Sequence, residues 1–84
     1  MSARELDDVV DAAQRVAGVV AARDRGDADG ARALLASFED HAELATGALL
    51  VAELSLGLLS RSTGEPVGDC VATLSLELMA MPRP

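Results

Sequence analysis

His41, with Glu39, Asp40 and Glu43 beside it, is the one place in this sequence where an imidazole meets several carboxylates. A metal site on a helix needs ligands three or four residues apart, so that they share one face. Around His41 such positions hold residues like Ser37 and Ala45, which supply no second His, Cys or carboxylate. Asp40 and Glu43 do share a face, but two carboxylates without another imidazole make a poor cage. General acid–base use of His41 would need a convergent partner from elsewhere in the chain, and no residue pattern argues for one. The cluster reads as the acid-rich start of a helix, where negative charge is favoured by the helix dipole.

Two further segments invite chemistry. In Arg25-Gly-Asp-Ala-Asp-Gly30, Asp27, Asp29 and Gly30 match interior positions of a calcium loop. Its two strongest anchors would fall on Arg25 and Ala36, which cannot ligate the ion. The same stretch contains Arg25-Gly26-Asp27, the tripeptide of adhesive ligands. A glycine helix stop followed by an aspartate cap accounts for both coincidences. Cys70 is the sole cysteine, so no internal disulfide is possible. A helix N-terminus would lower its pKa, the adjacent Asp69 would raise it, and the residue reads as a small buried hydrophobe. There is no glycine-rich phosphate loop, nucleophile elbow or Cys-x-x-Cys. The expectation is a protein that is not an enzyme, with no catalytic residues, no cofactor and no metal.

The elements that would carry these residues are helical. Ser2 and Glu5 have capping-box spacing. Leu6, Val9, Ala13, Val16 and Val20 then recur at three- and four-residue steps, with Val10 and Ala17 widening the stripe. Asp11 and Arg15 form an i,i+4 ion pair on this helix, and Gly26 stops it. This predicts a first helix over about 3–25. Asp27 caps a second over about 28–37, with Ala31, Leu34, Leu35 and Phe38 as its apolar positions. A break at Ser37–Asp40, with Ser37 or Asp40 as the next cap, precedes a third helix over about 40–61. The spacing of Leu35, Phe38, Ala42, Ala45, Leu49, Ala52, Leu56 and Leu59 leaves open one continuous helix from 28 to 61. Helix 3 is apolar nearly all round, and such a helix is expected to be central and buried on most sides. After Gly64 and Pro66, Val67, Val71, Leu74 and Leu78 give a fourth helix over about 66–79. The alternation Leu74-Ser-Leu-Glu-Leu78 is its strand-like rival. The tail at 82–84 should fray. The fold class is all-α: a single small bundle of three or four helices around an apolar helix near residues 40–61.

Charge narrows the partners. The net charge is −7, with ten acids and five Arg in residues 1–43 and four acids and two Arg in residues 44–84. No arginine cluster exists to release counterions from a phosphate backbone, so nucleic acid is not expected as a partner. Anionic membrane surfaces are disfavoured in the same way. The apolar stretch Ala48–Leu59 contains Glu53 and is short of a bilayer span. The acidic Met1–Asp8 lacks the basic and apolar regions of a secretion signal, which makes the cytoplasm the expected location.

What remains is surplus apolar surface. Helix 3 carries more leucines than two neighbours can cover, and such patches mark interfaces. The reading is a homodimeric regulatory or adaptor module that contacts another protein, with Leu50, Val51, Leu54, Leu58 and Leu76 at the interface. An acidic inhibitor or antitoxin-like protein, presenting Asp7, Asp8 and Asp11 to a basic target, is the alternative, and a small enzyme subunit the third. Because Asp27, Asp29 and His41 are read as structural, a chelator should leave the melting temperature unchanged in a thermal scan. A drop that calcium or zinc restores would reassign those residues.

Overall fold

The computed structural model describes residues 2–84, and all regular structure among them is helical: α1 (Ala3–Asp24), α2 (Ala28–Ala36), α3 (His41–Thr63) and α4 (Val67–Ala80). The architecture is a small all-α bundle. The chain divides into two compact units, Met1–Ala52 and Glu53–Pro84, the division falling within α3.

Local chemistry accounts for the ends of α1 and α2. Ser2 Oγ accepts the Glu5 N–H at 3.1 Å and caps α1. At the other end Gly26 takes φ 77°. The Gly26 N–H then bonds Arg23 O at 3.2 Å and the Asp27 N–H bonds Ala22 O at 2.8 Å, the paired bonds of a Schellman stop. Asp27 immediately caps α2, its Oδ1 accepting the Gly30 N–H at 2.8 Å. A side chain at position 30 would collide with that carboxylate, since a Cβ there would lie 2.7 Å from Asp27 Cγ.

The continuous 28–61 helix does not form. The Ser37 and Phe38 N–H groups bond Leu34 O and Leu35 O in tightened turns, and Ser37 Oγ donates to Leu34 O at 2.6 Å. Asp40, rather than Ser37, then caps α3 by accepting the Glu43 N–H at 2.8 Å. Gly64, at φ 77°, ends α3. Pro66 stands just ahead of the first turn of α4, its carbonyl accepting from Asp69 and Cys70. The strand alternative at Leu74–Leu78 is resolved as helix.

In the first unit, small side chains make the core. Ala12, Ala13, Val19, Ala22 and Ala31 are buried, and Leu34 packs against the Val19, Ala22 and Ala31 cluster. The buried face of α1 therefore differs from the stripe predicted by hydrophobicity. Leu6 and Val20 are 52% and 59% exposed, and at 100° per residue the buried line is turned by about a quarter circle. Alanines allow closer helix approach than a row of valines, and Val19 and Ala22 are buried against Ala31 and Leu34 of α2, whereas Ala12 makes the tightest contact. That contact is between α1 and α3. A Cβ on Gly47 would lie 2.7 Å from the backbone carbon of Ala12, a separation at which something must shift.

α3 is not the buried helix its composition implies. Gly47 is its only buried residue, and Leu49, Leu54 and Leu58 are about 60% exposed (60%, 59% and 61%). The physical reason is a shortage of neighbours. Within residues 1–52, α1 meets one side of its first half at Gly47, and the nine-residue α2 packs on α1. Within residues 53–84 there is only α4 to cover the rest.

Gly47→Ala tests the crossing. A Cβ pressed on backbone should cost about 1–3 kcal/mol, more than the roughly 1 kcal/mol of helix propensity gained. A lower melting temperature by circular dichroism is expected, and an unchanged or raised one would show that α1 and α3 stand further apart.

Candidate functional site

Several of the residues that could do chemistry have structural roles. Asp27 accepts from Gly30 and pairs with Arg25 Nη2 at 3.3 Å, while Asp29 pairs with Arg32. Asp40 is a helix cap. His41 is exposed at the first position of α3. Glu43 turns toward α1. Cys70 is buried at 2% exposure. Among the described residues no group of three or more His, Cys, Asp or Glu could hold a metal ion.

The most connected polar side chain is Arg15. Its spacing pairs it with Asp11 alone, and that bridge is present at 3.0 Å. The same guanidinium also bonds Glu43 Oε1 at 2.9 Å, Ser37 O at 3.1 Å and Ser37 Oγ at 3.2 Å. It lies 4.3 Å from the Phe38 ring centroid, within cation–π range. Desolvation opposes its charge. The hydrogen bond and charge of Glu43, then those of Asp11, outweigh that penalty and hold the pKa above its ordinary value. Arg15 thus ties α1 to the turn before α3 and to the first turn of α3. Nothing in spacing reveals a partner 28 residues away. The only clue in the sequence is that one arginine faces two acidic stretches.

Of the acidic residues considered for a basic target, Asp7, Asp8 and Asp11 are all exposed on α1. Asp11 is already engaged by Arg15, which removes part of that face's unneutralised charge.

The predicted interface residues fall in both units. Leu50 and Val51 belong to the first and are half-buried. Leu54, Leu58 and Leu76 belong to the second and are 59%, 61% and 68% exposed. They are not alone there. Leu59, Val67, Val71, Leu74, Leu78 and Met79 are exposed by 42% to 72%, and Cys70 is the only buried residue of α4. By hydropathy and length alone, α3 with 23 residues is also apolar enough to cross a membrane, since the helix extends beyond the apolar stretch Ala48–Leu59 at both ends. Glu53 near its midpoint weighs against a span, since a charge at the bilayer centre costs about 3 kcal/mol.

No family model, curated protein or solved structure matches this chain.

The clamp generates a prediction. Arg15→Lys keeps the charge but lacks the planar fork that serves Glu43, Ser37 and Asp11 together. It should lower the melting temperature nearly as far as Arg15→Ala. Full retention of stability by the lysine variant would reduce the cluster to a simple charge pair.

Proposed function

We propose that this protein is a non-catalytic interaction module that works as a homodimer, in a regulatory or adaptor role toward another protein. The observation that carries the reading is the apolar surface of residues 53–84. A leucine left in water forfeits roughly 1.5–3 kcal/mol of possible burial, and soluble monomers rarely expose contiguous apolar surface on this scale. A twofold interface closes such a surface with no additional sequence, because one self-complementary patch serves both copies. Two helical hairpins supplying four helices is a common way to build a bundle core. Charge agrees with this division of labour. Residues 1–52 carry ten of the fourteen acids and five of the seven arginines, so the more charged unit is suited to stay in solvent while the other is covered.

Light scattering on the purified chain should report about twice 8.6 kDa at micromolar concentration, with little change between 50 and 500 mM salt, since burial of leucine is not screened as ion pairs are. Leu54→Asp or Leu58→Asp should shift the mass toward the monomer while far-ultraviolet circular dichroism stays helical. A wild-type chain that remains monomeric and soluble at high concentration would overturn the homodimer.

A further inference from the structure

The glycines of α3 behave differently. Gly47 is required by the chain itself, because a Cβ would strike the backbone of Ala12. Gly57 has no such reason. A Cβ there would meet only Arg61 Nη1, at an ordinary 3.6 Å, and Gly57 is not among the positive-φ glycines. A glycine in a helix interior costs about 1 kcal/mol relative to alanine, and Gly57, though half-buried, meets no close backbone neighbour within the protomer that requires it. Its neighbours along the same side are equally unsatisfied. Glu53 and Arg61 lie four residues before and after it, both exposed. All ion pairs among the described residues lie in residues 1–52, so neither has a counter-charge. Leu54, beside this line, is 59% exposed.

These features are explained together by one geometry. We propose that a second copy of this chain docks on α3 antiparallel, with the twofold axis at Gly57. An antiparallel twofold places the residue four before the axis opposite the residue four after it, each about 6 Å along the helix from the crossing. Glu53 therefore meets Arg61 of the second copy, and Arg61 meets Glu53 of the second copy. The single opposite-charge pair of this surface is used twice, which makes the face self-complementary in charge as well as in shape. The missing Cβ at Gly57 lets the two backbones approach toward the close end of the usual interaxial range of about 8–10 Å. Leu54 flanks the crossing and excludes water from the ion pairs, which strengthens them. The guanidinium of Arg61 already lies along this seam, beside Gly57.

This arrangement rests on the self-association proposed above, and charge reversal separates the two. E53R puts like charges opposite one another at both ends of the seam, and so does R61E. Each should weaken the dimer by about tenfold or more, since like-charge juxtaposition in an interface costs over 1.4 kcal/mol. Both positions are exposed, so helicity by circular dichroism should hold. An equimolar mixture of the E53R and R61E chains should associate, because every facing pair is then opposite in sign, and E53R/R61E should dimerise by itself. The readout is mass by light scattering or analytical ultracentrifugation. A wild-type dimer indifferent to the single reversals, or a mixture that stays monomeric, would overturn this register and leave self-association standing. A monomeric wild type would overturn both.

Discussion

The first unit depends on the missing side chain at Gly47. With hydrogen in place of a methyl, α3 can lie against Ala12 of α1 at backbone distance. That approach fixes the face of α1 at Ala12, while Val19 and Ala22 are buried against Ala31 and Leu34 of α2, and Val20 and Leu6 are left in water although they are more hydrophobic. Dispersion falls steeply with separation, so a close contact between small residues can outcompete a looser one between large residues.

Once α1 and α3 are this near, Arg15 finds its partners. Its stem leads to a guanidinium that touches Glu43, the Ser37 carbonyl and hydroxyl, and the Phe38 ring. The turn at Ser37–Asp40 is thereby held by a residue of a different helix as well as by its own caps. This is how a chain with heptad-like spacing across 28–61 comes to be interrupted there. The local signals at Ser37 and Asp40 favour a stop, and the clamp supplies a tertiary reason for the chain to turn back.

The second unit has no comparable internal economy. α4 buries Cys70 and leaves its leucines and Met79 exposed, while the later part of α3 offers Leu54, Leu58 and Leu59 to solvent. Two helices have too few facing sides to cover one another when both are apolar over most of their circumference. Hydrophobic burial is the dominant favourable term in folding and association alike, and in this unit much of the apolar side-chain surface stays uncovered.

Sequence alone was enough for whatever is decided within one turn of helix. The caps Ser2 and Asp27, the glycine stops Gly26 and Gly64, the Asp11–Arg15 pair and the all-helical class follow from interactions three or four residues apart, which spacing displays directly. Spacing left open the break before α3, with Ser37 or Asp40 as its cap, and the strand-like alternative at Leu74–Leu78. The buried face of α1, the reach of Arg15 to Glu43 and the exposure of α3 were decided only by tertiary structure. Each depends on which helix lies beside which, and at what distance. Periodicity measures how hydrophobic a face is, whereas packing selects the face whose shape admits a neighbour. In this chain those two faces of α1 differ by about a quarter turn, set by the close approach of Gly47 to Ala12 and by the packing of Val19 and Ala22 on Ala31 and Leu34.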